Sequence, residues 1–147
     1  MTQGSLIRTV VDVAAPPEAV WRVLVDFGRY SRWHPTMVVD DPVPEAVPGA
    51  KLKLRVSGGV AGDQSFTAEI VEALPQRRLV WLGGVPDVLL GRHSFEVEPL
   101  ASGRSRYTDT ETWSGSLVAT VIAEQYEAIK AEYERVVRAL KTAVEAG

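Results

Sequence analysis

The chain has 147 residues, 46% hydrophobic and 24% charged, with a net charge of −3, which suits one globular domain over residues 1–147 with a sizeable core. It contains no cysteine, which excludes disulfides, thiolate metal sites and a cysteine nucleophile, and its interspersed charges offer no basic face for nucleic acid. No apolar run approaches the ~20 residues of a membrane span and the N-terminus has no signal-peptide core, so no membrane insertion and a cytoplasmic location are expected.

Ser5 to Val13 is rich in β-branched residues and predicts a first strand. Ala14-Ala15-Pro16-Pro17 ends it, and Pro17 suits the first turn of a helix. Glu18 to Phe27 carries Val20, Trp21, Leu24 and Phe27 at helical spacing, and Gly28 stops that helix. Arg29 to Trp33 predicts a second short helix, closed by His34-Pro35 because a residue before proline avoids the helical region.

From Thr36 the apolar period changes to two. Strands are predicted over Thr36 to Asp40, Ala50 to Ser57, Ser65 to Ala73, Arg77 to Gly83, Val88 to Leu100 and Arg104 to Trp113. A bend containing Pro42, Pro44, Pro48 and Gly49, a hairpin tip at Gly58 to Gln64 and the loop Ala101-Ser102-Gly103 connect them. Ser116 to Glu145 then carries apolar residues from Leu117 to Val144 at steps of three and four, which predicts one uninterrupted amphipathic helix with Ser116 as its N-cap. About 28 residues would make a rod of roughly 42 Å. The chain has no other helix of that length to bury its stripe, so an antiparallel sheet with one dry face must wrap it.

Three stretches carry a family resemblance. Trp21-x-x-Leu24-x-Asp26-Phe27-x-x-Tyr30-x-x-Trp33-His34-Pro35 resembles the two-helix signature of the SRPBCC superfamily, the helix-grip fold of START domains and birch-pollen-type allergens. Pro75-x-Arg77-Arg78-Leu79-Val80-Trp81, with His93-x-Phe95-x-Val97-x-Pro99-Leu100 and Glu111-x-Trp113-Ser114-Gly115, is similar to its polyketide cyclase/dehydrase branch. The resemblance implies an α+β helix-grip fold: a curved antiparallel sheet of about six to seven strands around a long C-terminal helix, with two short helices after strand 1. It also implies a hydrophobic cavity between sheet and helix. Within the superfamily this fold carries lipids, binds hormones, cyclises polyketides, or serves as a co-chaperone or oxygenase domain, so fold alone does not assign an activity.

The richest chemistry lies on the last hairpin. With a three-residue loop the paired residue numbers sum to 204, setting His93 opposite Glu111, Phe95 opposite Asp109 and Val97 opposite Tyr107. Parity then points His93, Phe95, Val97, Tyr107, Asp109, Glu111 and Trp113 inward, and Glu96 and Glu98 outward. Inward polar groups are expensive in a dry core, so they either line a wet cavity or are turned out by a bulge. In the functional reading His93 is a general acid or base oriented by Glu111, and Tyr107 polarises a carbonyl, as the aldol cyclisation or dehydration of a poly-β-ketone requires. The alternative is a polar pair that fixes register and orients a ligand without reacting.

Trp33, Phe66, Trp81, Phe95, Trp113, Tyr126 and Tyr133 could stack on a planar ligand, with Asp109, Ile122 and Ile129 completing a binding surface; such aromatics are also ordinary core. Trp21 and Phe27 read as structural; His34 precedes Pro35 on the short-helix turn, where the resemblance implies the cavity mouth, and reads as a surface histidine. No metal is expected: a site would need His93, Asp109 and Glu111, and no second histidine shares that region of the sheet. No cofactor is expected either, and no nucleophile elbow is present. The expected partner is a hydrophobic, aromatic or polyketide-like small molecule held without turnover. Cyclase/dehydrase activity through His93 and Glu111 and a co-chaperone-like protein-interaction module are the alternatives, and monomer and homodimer both stay open.

Overall fold

The computed structural model describes residues 5–147. The first four positions of the expected domain and of the signal-peptide reading lie outside the described residues. Strand β1 (Leu6–Val13) leads into helices α1 (Pro17–Val25) and α2 (Tyr30–Trp33). Strands β2 (Met37–Asp40), β3 (Lys51–Val56), β4 (Gln64–Leu74), β5 (Arg78–Val85), β6 (Leu89–Leu100) and β7 (Arg104–Ser114) follow, and α3 (Tyr126–Glu145) closes the chain. The seven strands form one antiparallel sheet in the order β1-β7-β6-β5-β4-β3-β2, curled around α3 in the helix-grip arrangement.

Local chemistry explains the elements. Pro17 opens α1, whose Val20 and Leu24 are buried, and Phe27 buries in the turn that follows. The Tyr30 hydroxyl donates to the Leu24 carbonyl at 2.5 Å, giving an end-of-helix carbonyl the partner it would otherwise lack. In β3 the alternation is clean: Leu52 and Leu54 are buried, while Lys51, Lys53 and Arg55 are exposed.

The main core joins α1, the inner face of the sheet, and Val137, Leu140 and Val144 of α3. A second cluster forms around Ile7, Ile122 and Ile129. Two bonds moor the C-terminal end of α3, and an ion pair within the helix links the two side chains that make them. Ala14 N–H donates to Glu145 Oε2 at 2.7 Å, Lys141 Nζ donates to the Asp12 carbonyl at 2.8 Å, and Lys141 pairs with Glu145 at 2.7 Å. Near its middle, Glu132 Oε1 accepts the Val60 N–H of the β3–β4 tip at 2.7 Å.

The expected helix from Ser116 is corrected. The α-helix begins only at Tyr126 and has 20 residues, about 30 Å of rod. Val118–Ile122 forms a π turn and Ala123–Gln125 a 3₁₀ turn. Ser116 caps nothing: its N–H donates to the Asp87 carbonyl, and Leu117 N–H donates to the Val88 carbonyl at 2.9 Å. The segment is thus tethered to the β5–β6 turn at one end while Ile122 must reach Ile7 at the other, and a wider turn takes up the mismatch. Gly115, at φ +118°, turns tightly over the Val88 backbone, a conformation that suits glycine.

Candidate active site on the last hairpin

The β6–β7 hairpin has the register that its loop length implies: His93 pairs with Glu111, Phe95 with Asp109 and Val97 with Tyr107. Alternation turns the even-numbered glutamates outward and brings His93, Tyr107, Asp109 and Glu111 to the inner face. The His93 side chain is 12% exposed, Asp109 2% and Glu111 13%.

These groups satisfy one another. His93 Nε2 donates to Asp109 Oδ1 at 2.6 Å, and Tyr107 O–H donates to Asp109 Oδ2 at 3.2 Å. His93 Nδ1 faces Glu111 Oε1 at 3.4 Å, and that oxygen accepts the hydroxyl of Tyr133 from α3. Asp109, diagonal to His93, therefore makes the close bond, whereas Glu111 directly opposite was the expected orienting group. The imidazole lies nearly parallel to the Phe95 ring at 4.1 Å and the Tyr133 ring at 5.7 Å, with Trp81 edge-on at 5.7 Å. Gly91 leaves space for this arrangement, since a Cβ there would collide with the Glu111 carboxylate.

Burial works against the charged imidazole, but the Asp109 and Glu111 carboxylates and the Asp109 hydrogen bond outweigh it, and the His93 pKa is pushed up to about 9. At neutral pH the ring is a cation enclosed by carboxylates and aromatic faces. Its lone pair is occupied, so it can give a proton or hold an anion but cannot begin as a base. Burial raises Glu111, against the opposing pull of the His93 charge and the Tyr133 bond. Tyr107 and Tyr133 are pushed up by burial and by the carboxylates beside them.

His34 is no surface residue. Its Nδ1 accepts the Thr36 N–H at 3.2 Å and the Met37 N–H at 3.0 Å, and its ring stacks on Tyr30 at 6.0 Å. An Nδ1 that accepts leaves Nε2 to carry the proton, so the neutral ring is a donor there. Burial pulls its pKa down to about 4, opposed by Asp109 and reinforced by the His93 charge.

Trp33, His34, Met37, Trp81, His93 and Asp109 share the wall of a cavity of about 20 Å³, completed by Phe95, Tyr107 and buried apolar neighbours from α1, α2 and α3. That volume holds about one water molecule. Its half-buried members Trp33, His34, Met37 and Val136 lie on the α2–β2 connection and on α3. A much larger concavity of about 690 Å³ is an open trough on the outer face, walled by residues such as Arg77, Arg78, Glu96, Glu98 and Arg106. Its Arg78 and Arg106 already pair with Glu72 and Glu96, and with Asp12, and none of the buried polar network reaches it.

The profile of a family described as polyketide cyclase / dehydrase and lipid transport matches residues 6–145. The chain belongs to the polyketide cyclase/dehydrase and lipid transport family. Solved structures similar to it include a START superfamily protein from Mycobacterium smegmatis, with 19% identity over 97% of this chain and 99% of that one and a TM-score of 0.77. The Zhui aromatase/cyclase from Streptomyces sp. R1128 matches with 16% identity, 95% and 93% coverage and a TM-score of 0.74. A protein from Chromobacterium violaceum matches with 20% identity, 96% and 98% coverage and a TM-score of 0.73. At such identities the likeness is one of fold. No curated protein matches the sequence significantly.

In this cyclase/dehydrase-family fold Trp33, Trp81, His93, Phe95, Tyr107 and Asp109 come together around the small cavity, and Glu111 stands one step behind, between His93 and Tyr133. Phe66 instead packs over Gly83 at the edge of the main core. Trp113, Ile122, Tyr126 and Ile129 belong to the second cluster, where the Tyr126 hydroxyl is spent on the Leu6 carbonyl. Sequence reasoning missed Met37 and Val136, set His34 at the implied cavity mouth but preferred a surface role for it, and took Tyr133 for a stacking ring rather than a hydroxyl donor.

Proposed function

We propose that the protein binds a hydrophobic, aromatic or polyketide-like small molecule between the sheet and α3, with the ligand's polar end against His93 and its partners. The observation that carries this reading is a charged, mutually satisfied group of side chains enclosed in an apolar core beside a cavity with a half-buried rim. Apolar residues of similar volume would commonly serve stability as well or better than a buried ion pair. Its presence is accounted for by a polar ligand group that it orients. Because the free space holds one small group, binding displaces the rim side chains Met37 and Val136.

The family's cyclase/dehydrase chemistry is the second reading, favoured by the proton on His93. An imidazolium with a pKa near 9 can protonate a departing hydroxyl or a carbonyl oxygen at neutral pH, with Asp109 and Glu111 holding its ring. Native mass spectrometry of gently purified protein, compared with its denatured mass, tests the binding reading. A reproducible adduct of a few hundred daltons is expected, and a clean apo mass that persists after incubation with aromatic polyketides would count against it. His93→Gln retains a donor toward Asp109 but loses the transferable proton. Equal turnover of a poly-β-ketone by this variant and the wild type would remove the enzymatic reading.

A further inference from the structure

The polar groups around the small cavity are unequally matched. Trp33 lines it, and its Nε1–H is buried without a hydrogen-bond partner. Orphaned buried polar atoms are few in folded proteins and each calls for an explanation; Trp33 Nε1 is the one of the three among the described residues that belongs to a residue of this cavity. His34, the next residue, lines the same cavity with its ring centroid 5.3 Å from that of Trp33. With Nδ1 taken by the Thr36 and Met37 N–H groups, the Nε2–H of the neutral ring is a second donor, less sealed from water than the Trp33 Nε1–H. On the sheet side, Asp109 already accepts from His93 and Tyr107 through its two oxygens, and the Tyr30 hydroxyl is spent on Leu24. Each Asp109 oxygen keeps a lone pair, so the one sealed and unpartnered group on the cavity wall is the Trp33 Nε1–H donor.

We propose that the cavity is a carbonyl site: a ketone, quinone or enolate oxygen of the ligand sits in it and accepts from Trp33 Nε1–H and His34 Nε2–H. The volume of about 20 Å³ suits one such oxygen, with the ring system lying toward the half-buried rim. The proposal rests on the binding reading above and narrows its ligand class. A hydrocarbon would leave the Trp33 Nε1–H unpaired, as it is without a ligand.

Calorimetric titration with 1-tetralone and tetralin, which differ by one carbonyl oxygen, tests this. The wild type is expected to bind the ketone at least tenfold more tightly. Trp33→Phe keeps the aromatic body and removes the donor; it should reduce that preference to threefold or less while the tetralin affinity changes by no more than about twofold. If circular dichroism shows that Trp33→Phe does not fold, His34→Asn decides. It keeps an acceptor for the Thr36 and Met37 N–H groups, shortens the reach of the donor and should likewise erode the preference. Equal affinity for both probes in the wild type, or a preference that survives in the folded variants, overturns the carbonyl site and leaves the binding reading standing. Failure of both probes to bind the wild type at millimolar concentration counts against the binding reading itself, and the carbonyl site falls with it.

Discussion

The two histidines give the protein opposite dependences on pH. Between pH 6.5 and about 9 folded His93 holds a proton that an unfolded histidine has released. Its contribution is complete below pH 6.5 and is lost as pH rises through 9. Between about pH 4 and 6.5 folded His34 stays neutral while the unfolded ring is charged, so stability is lost as pH falls through that window. At about 1.4 kcal/mol for each pKa unit, each effect amounts to about 3 kcal/mol, a large part of the about 5–15 kcal/mol that holds a domain folded. Glu111, raised by burial, loses stability as pH climbs past its ordinary value, and the exposed Asp12, Asp40 and Glu145, held low by Arg106, Arg55 and Lys141, favour folding above theirs. Comparing variants with the wild type at each pH largely cancels the exposed groups. Urea unfolding should show the gap between wild type and His93→Gln shrinking by about 3 kcal/mol from pH 6.5 to 9. His34→Asn should gain about 3 kcal/mol on the wild type from pH 6.5 down to 4. Parallel curves for wild type and His93→Gln would refute the claim that Asp109 and Glu111 hold His93 as a cation.

Three further outcomes follow from the geometry. Gly91→Ala should destabilise by about 1–3 kcal/mol in urea melts, because its Cβ would drive the Glu111 carboxylate from beside His93. Tyr133→Phe removes the donor to Glu111 and should cost about 1–3 kcal/mol near neutral pH, with a smaller cost at pH 4, where Glu111 gains protons. Glu132→Ala should cost about 1 kcal/mol and accelerate hydrogen exchange at Val60, whose N–H it binds, without altering exchange in β6.

The hairpin was legible because its facts are local. A three-residue loop and strict alternation are enough to pair His93 with Glu111 and turn Asp109 inward. The choice of Asp109 over Glu111 as the close partner of His93 was not, since it depends on how the imidazole leans along the strand between Phe95 and Tyr133. Apolar spacing from Leu117 to Ile122 fits an α-helix, yet the turn there is set by carbonyls of Asp87 and Val88, which any residue supplies. His34 looked exposed because its neighbours in sequence are turn residues. Trp81, His93 and Leu140 reach its cavity from distant strands and from α3. Cavity size depends on how these rotamers interlock, a property of the packed molecule rather than of any segment.

The most direct test of the binding account uses the indole N–H resonances of the four tryptophans during a titration with 1-tetralone. A ligand between sheet and α3 should shift the Trp33 and Trp81 signals together and leave Trp21 and Trp113, which lie outside the small cavity, nearly still. Movement confined to Trp21 or Trp113, or no change at millimolar probe, would contradict the account.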